Sequence, residues 1–207
     1  MTGSSVYSYN WEDDTSSTLL REVKAQSPVA WNRLVRLYSG LVYRWCRKAG
    51  LQPADSADVG QEVFRAVARK IPVYRHDRSG DTFRGWLRKI TRNKICDWAR
   101  KRPPAYTGFP WIGRLRRQSQ LPPWDLPEPD EQANAEERWI VYRAACELIR
   151  TEFEERTWQA FWQTTVEDAR VEDVAAKLRM TTNAVRLAKS RVIRRLRKEF
   201  AGFMDPS

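Results

Sequence analysis

The chain has 207 residues, enough for one or two domains, and its 37 Lys and Arg against 26 Asp and Glu give a formal net charge of +11. This charge favours a polyanionic partner, although it does not by itself distinguish DNA from RNA or from an acidic membrane surface. The apolar runs are too short to span a bilayer and the N-terminus does not resemble a signal peptide, so we expect a cytoplasmic protein without a membrane partner.

Apolar residues recur with a period near 3.6 along almost the whole chain, which predicts an all-α fold. Residues 1–16 have the composition of a flexible tail. The N-terminal helical domain that follows, residues 17–102, contains four predicted helices, over residues 17–26, 29–49, 54–70 and 82–100. Gly50 is expected to end the second helix in the left-handed conformation. The apolar stripe of that helix is formed by Leu34, Leu37, Tyr38, Leu41, Val42 and Trp45.

A polar loop, residues 74–81, leads into the fourth predicted helix. Cations can follow phosphates and flat rings can stack on unpaired bases, so the loop and this helix are a candidate nucleic-acid surface. Tyr74 is nevertheless expected to be packed rather than stacked on a base. The side chains expected to point inward from the helix are Phe83, Trp86, Leu87 and Ile90. Those expected to point outward are Arg84, Arg88, Lys89, Arg92 and Lys94.

A dense group of prolines divides the chain in two. It consists of Pro103, Pro104, Pro110, Pro122, Pro123, Pro127 and Pro129. Because this density prevents helix formation and favours an extended chain, residues 103–130 are predicted to form a linker. The C-terminal domain is then expected over residues 131–204.

The C-terminal domain ends in two helices joined by a tight corner. Residues 172–179 form a predicted amphipathic helix, and residues 179–182 form the corner. Thr181 or Thr182 is expected to cap the second helix. A short helix followed by a basic one is typical of a helix-turn-helix, whose second helix enters the DNA major groove. The inward positions of that second helix are Val185, Ala188, Val192 and Leu196.

The cysteine and histidine content argues against a metal site. Cys46, Cys96 and Cys146 are widely spaced, and His76 is the single histidine. A structural or catalytic metal needs a denser set of ligands than this. We therefore expect buried, reduced thiols, no metal and no other cofactor.

The two halves together resemble the extracytoplasmic-function (ECF) sigma factors of bacterial RNA polymerase. The C-terminal half resembles sigma region four, although Ile149 to Arg156 lacks a proline usual there, and Asn183-Ala184-Val185 replaces the usual Gly-Thr-Val. Residues 157–162 are also more aromatic than usual, which suggests a bulkier core or an extra contact surface. The pattern of region two is matched by Asp58, Val59, Gln61, Glu62 and Phe64, then by Phe83, Trp86, Leu87, Ile90, Asn93, Asp97 and Arg100.

This resemblance implies two small helical domains, a region-two bundle and a region-four helix-turn-helix, joined by the proline-rich linker. It also implies a non-enzymatic sigma factor that directs RNA polymerase to specific promoters and assists promoter opening. The implied partners are core RNA polymerase, promoter DNA and an anti-sigma factor. The residues implied to bind polymerase are Asp58, Gln61, Glu62 and Arg65. Those for the minus-ten element are Arg75, Arg78, Ser79, Arg88, Arg92 and Asn93. Those for the upstream, minus-thirty-five element are Thr182, Asn183, Arg186, Lys189, Ser190, Arg191 and Arg194.

Two other functions remain open at this point. A small nuclease or recombinase would need a cluster of metal-binding carboxylates or an activated nucleophile, and the sequence offers neither near its basic surfaces. A stand-alone helix-turn-helix transcriptional regulator would be a symmetric dimer that binds its operator without polymerase. The sequence contains no obvious dimer seam.

Overall fold

The structure of the protein is a computed structural model, which describes residues 18–75, 82–101 and 131–200. Within these ranges every regular element is helical, which confirms the predicted all-α fold. The predicted tail, most of the polar loop and the proline-rich linker lie outside the described residues. The helices are α1 (Thr18–Lys24), α2 (Pro28–Lys48), α3 (Pro53–Lys70), α4 (Phe83–Lys101), α5 (Glu131–Ile149), α6 (Glu155–Thr165), α7 (Val171–Leu178) and α8 (Thr182–Phe200). Short 3-10 turns follow α3 and α5, at Ile71–Val73 and Arg150–Glu152.

Local chemistry fixes the ends of the long helix α2. Ser27 caps its start, because the Ser27 hydroxyl oxygen accepts a 3.3 Å hydrogen bond from the amide of Ala30, and Pro28 supplies the fixed φ of the first turn. At the other end Gly50 has a φ of 85°, which confirms the predicted left-handed position. The preceding helix α1 stops at Lys24, earlier than predicted, and Gln26 is itself left-handed with a φ of 61°.

The core is built around α2. All six residues of its predicted apolar stripe are buried, with at most 3% of their surface exposed. Around them, α3 and α4 contribute Val63, Val67, Leu87 and Ile90. Tyr74 is buried as predicted, and its ring packs against those of Phe83 and Trp86. The sequence pattern therefore identified the buried face of these helices correctly.

The helices before and after the proline-rich segment share this core. Helix α5 lies along α2, and α1 and α5 both contact α8. Val141, Ile149, Val192 and Leu196 belong to the same buried cluster as Leu37. The predicted domain boundaries, residues 17–102 and 131–204, stay a prediction, since shared packing does not establish which segments fold alone.

The aromatic segment at residues 157–162 is mainly core. Trp158 and Phe161 are buried, and the ring of Trp162 stacks on that of Trp158 with centroids 5.9 Å apart. The three cysteines are buried free thiols, as predicted. Desolvation raises the pKa of the Cys46 and Cys146 thiols to about 12, so both are neutral at physiological pH.

Candidate nucleic-acid interface

Helices α7 and α8 form the predicted helix-turn-helix. They pack through a small cluster of Val174, Ala175, Val185 and Ala188, to which Ala160 of α6 also belongs. These small side chains let the three helices approach closely. The exposed surface of α8 is thereby held at a fixed angle to α7.

The turn between the two helices is closed by backbone hydrogen bonds and by a cap. Arg179 takes the left-handed conformation with a φ of 51°, and the amide of Met180 donates a 2.9 Å hydrogen bond to the carbonyl of Ala175. The Thr181 hydroxyl oxygen accepts a 3.1 Å hydrogen bond from the amide of Ala184. Of the two threonines proposed as the cap, Thr181 therefore fills that role.

Arg156 of α6 also holds this turn, and the sequence did not identify it as a site residue. Its Nε and Nη2 donate hydrogen bonds of 3.0 and 2.7 Å to the carbonyl of Leu178, and Nη2 donates another of 2.7 Å to the carbonyl of Arg179. These carbonyls end α7 and have no helical partner, so a cation there satisfies them and complements the helix dipole. Arg156 thus couples α6 to the turn that orients α8.

The outer face of α8 is polar and basic. Thr182, at the first position of α8, is half-buried. Lys189 is also half-buried, and its amine donates a 3.3 Å hydrogen bond to the carbonyl of Thr164. Lys189 would have to leave this bond to reach DNA. The predicted upstream-element residues that are exposed are Asn183, Arg186, Ser190, Arg191 and Arg194.

The predicted minus-ten residues are less uniformly exposed. Arg75 and Asn93 are exposed and Arg92 is half-buried, whereas Arg78 and Ser79 lie outside the described residues. Arg88 was predicted to point outward from α4, but only 21% of its side chain is exposed. It lies over the ring of Trp45, 5.7 Å from the centroid, and forms an ion pair with Glu137 of α5.

Glu137 is a buried charged residue that the sequence analysis missed. Only 1% of its surface is exposed. A signal was present, because residues 137, 141 and 145 fall on one face of α5 and the latter two are apolar. A carboxylate on an apolar stripe indicates a partner from another helix.

The four predicted polymerase-binding residues lie on the exposed side of α3, between two depressions. Gln61 and Arg65 line an open groove of about 730 Å³ next to α2, whose walls also include Trp31 and Phe64. Asp58 and Glu62 line a smaller depression next to α4. Glu62 and Arg65 are ion-paired, one turn apart. This surface therefore combines charges with accessible aromatic area, a composition suited to a protein partner.

Two features are absent from the residues that the structure describes. In those ranges no three His, Cys, Asp or Glu side chains are grouped so that they could hold a metal ion. No described helix has the length and apolar character needed to cross a membrane.

Comparison with known proteins identifies the region of α2 to α4. Residues 34–103 match the family described as sigma-70 region 2. The chain is 30% identical over 119 residues to the ECF RNA polymerase sigma factor SigE of Mycolicibacterium smegmatis, an alignment that covers 58% of this chain and 40% of that protein. The chain thus spans about two fifths of the length of this curated relative. Among solved structures, the RsbN–BldN complex contains a chain of 18% identity, with a TM-score of 0.35 and coverage of 86% of this chain and 96% of that one.

Proposed function

We propose that this chain is an ECF sigma factor, which directs RNA polymerase to specific promoters and assists promoter opening. One observation carries the proposal: a region-two match and a helix-turn-helix with an exposed basic helix occur in the same chain. A stand-alone transcriptional regulator has no use for the region-two segment. The protein then acts in the cytoplasm as a non-catalytic subunit, since binding energy rather than a chemical step provides its function.

The exposed face of α8 is proposed to read the upstream promoter element. Its first three turns carry Asn183, Arg186 and Ser190, all exposed. Arginine paired with guanine and asparagine paired with adenine each contribute about 1–3 kcal/mol of discrimination in the major groove. Further along the helix, Arg191 and Arg194 are assigned to phosphates, which position the helix without reading sequence.

The loop before α4 and the face of α4 are proposed to bind the minus-ten element. Opening DNA without a chemical energy source requires that the protein trap an unpaired base. Flipping a base costs a few kcal/mol of stacking and pairing, which contacts in a pocket must return. Arg75, Arg78 and Ser79 are assigned to that pocket, and Arg88, Arg92 and Asn93 to the strand.

Helix α3 is proposed to dock on core RNA polymerase. The support is the exposed row of Asp58, Gln61, Glu62 and Arg65 beside an open groove with aromatic walls. An anti-sigma factor is a second proposed partner, since a protein that occupied this groove would exclude polymerase from it.

Sequencing of co-purified DNA tests the proposal. The full-length protein is incubated with core polymerase and fragmented genomic DNA, retrieved by an affinity tag, and the retained fragments are sequenced. We expect one pair of motifs at fixed spacing to be enriched when protein and polymerase are both present. Enrichment of an equally specific, palindromic site by the protein alone would favour the stand-alone regulator instead.

A further inference from the structure

A large apolar side chain, that of Leu187, lies on the exposed face of α8. It is 49% exposed. A single exposed leucine is ordinary on a protein surface, so exposure alone indicates nothing. Its position on the helix is informative, because Leu187 lies one turn after Asn183 and one turn before Ser190 and Arg191. These three neighbours are exposed and polar, so Leu187 lies in the middle of a polar surface.

This surface is the side of α8 that faces away from the core. The buried positions of the helix are Val185, Ala188, Val192 and Leu196. With 3.6 residues per turn, these positions fall on one side. The opposite side carries the row of Asn183, Leu187, Ser190 and Arg194. The exposed half of Leu187 therefore faces the surroundings of the helix, which in the proposed complex are the floor of the DNA major groove.

Side chains before and along α8 hold this face in a fixed orientation. Thr181 caps the helix, and Arg156 holds the carbonyl of Leu178 at the end of α7. On the flank of α8, the amine of Lys189 donates a hydrogen bond to the carbonyl of Thr164 on α6. Leu187 is thus presented by a rigid helix, as direct contact with a base requires.

The chemistry of leucine selects one feature of the major groove. Leucine has no hydrogen-bonding group, so it can gain free energy there only by apolar contact. The base edges on the groove floor present donors, acceptors and one apolar group, the C5-methyl group of thymine. A G·C pair opposite Leu187 would instead lose water from polar edges that leucine cannot pair.

We propose that Leu187 is a specificity-determining residue of α8 that reads the methyl group of one thymine in the upstream promoter element. This inference rests on the proposed function and adds part of the base preference of that site. Four residues of helix rise about 6 Å and stacked base pairs are about 3.4 Å apart. The thymine should therefore belong to a base pair within about two steps of the pair that Asn183 contacts.

Replacement of thymine by deoxyuridine tests the inference, because deoxyuridine keeps every hydrogen-bonding group of thymidine and lacks only the C5-methyl group. The full-length protein in complex with core polymerase is titrated with promoter duplexes, whose upstream element is taken from the co-purified DNA. Each thymine of that element is replaced in turn, on either strand. We expect one position at which the replacement weakens binding about fourfold, as the loss of one buried methyl group predicts.

Two variants of Leu187 assign the effect to this side chain. Leu187→Ser should bind the thymine and deoxyuridine duplexes with nearly equal affinity, because it removes the apolar contact. Leu187→Met keeps an apolar side chain of similar volume and should retain a preference of at least about twofold. Arg194→Ala is the matched control on the same face, since a lost phosphate contact should weaken binding to both duplexes alike and leave their ratio at about fourfold. Circular dichroism verifies that each variant is folded.

The outcomes separate this inference from the proposed function. Equal affinity for the two duplexes at every position, or an upstream motif without an A·T pair, would overturn the reading of a thymine methyl group while promoter recognition stands. A thymine preference that survives in Leu187→Ser would show that another residue reads the methyl group, and would overturn the assignment. If the complex with polymerase prefers no promoter to random DNA, the proposed function is contradicted and the inference falls with it.

Discussion

Trp45 and Glu137, 92 residues apart in the sequence, are joined by a 2.7 Å hydrogen bond from the indole nitrogen to the carboxylate. Both side chains are almost fully buried. The bond connects α2, most of which lies in the region that matches sigma-70 region 2, with α5, which comes before α6 and the helix-turn-helix in the chain. A buried donor that loses its acceptor pays the full cost of desolvation, so this pair contributes to the stability of the fold.

Glu137→Ala should lower the free energy of unfolding by about 2–3 kcal/mol, because it leaves the Trp45 N–H and the half-buried Arg88 without their acceptor. Urea denaturation followed by tryptophan fluorescence measures the change. Glu136→Ala is the control, and its exposed ion pair should account for less than about 1 kcal/mol. Equal losses for the two variants would contradict the role of the buried hydrogen bond.

Arg156→Met should weaken recognition of the upstream element, because the turn before α8 loses three hydrogen bonds. We expect a free energy of unfolding lower by about 1 kcal/mol and a clearly smaller preference for the specific site over random DNA. Affinity for core polymerase should stay the same. Arg150→Met is the control, since Arg150 forms an exposed ion pair with Glu155 and does not touch the turn. Unchanged site preference in Arg156→Met would show that the turn is held by its backbone alone.

Arg186→Ala and Arg194→Ala should have different effects on DNA binding. Arg186 lies in the part of α8 proposed to enter the groove, so its loss should cost about 1–3 kcal/mol at one base pair and relax specificity there. Loss of Arg194 should weaken binding to all DNA sequences alike and reduce the slope of log affinity against log salt concentration by about 1. Binding titrations over a salt series on matched and mutated sites separate the two. The assignment fails if both variants lose affinity uniformly.

The buried thiols should make stability fall at high pH. Burial raises the pKa of the Cys46 and Cys146 thiols from 9.0 to about 12. The stabilising contribution of each neutral thiol is therefore complete below pH 9, where the unfolded thiol is also protonated, and is lost as the pH rises towards about 12. Denaturation midpoints between pH 8 and 11 measure this decline.

The same burial predicts slow thiol chemistry. Iodoacetamide at pH 7.5 should label Cys46 and Cys146 much more slowly in the native protein than in urea, because it reacts with the accessible thiolate. Mass spectrometry of the labelled peptides identifies each site. Rapid native labelling of Cys146 would contradict its burial against the rest of the core.

Local features of the fold could be predicted from the sequence because their causes are local. Gly50 ends α2 since a left-handed residue is needed there, and Thr181 caps α8 through its own side chain. The apolar stripe of α2 identified a buried face because a period of 3.6 aligns those residues on one side. The turn-closing role of Arg156 depends on where α6 lies relative to α7, which no local pattern reveals.

Which helices pack against each other could not be predicted from the sequence, for a physical reason. An amphipathic stripe shows which face of a helix is buried but not which helix covers it. The sequence predicts two helical domains joined by a proline-rich linker, but it does not predict that α5 lies along α2 and that helices from both sides of the linker share one core. For the same reason Arg88 was expected to point to solvent, since its partner Glu137 is 49 residues further along the chain.

Transcription by core RNA polymerase with and without this protein tests the central claim most directly. Transcripts from a genomic fragment library are mapped by their 5′ ends, with polymerase alone and protein alone as controls. The account predicts defined start sites that share one promoter motif and appear only when polymerase and protein are combined. If the same start sites appear with polymerase alone, or none appear although the protein binds DNA, promoter recognition as a polymerase subunit is contradicted.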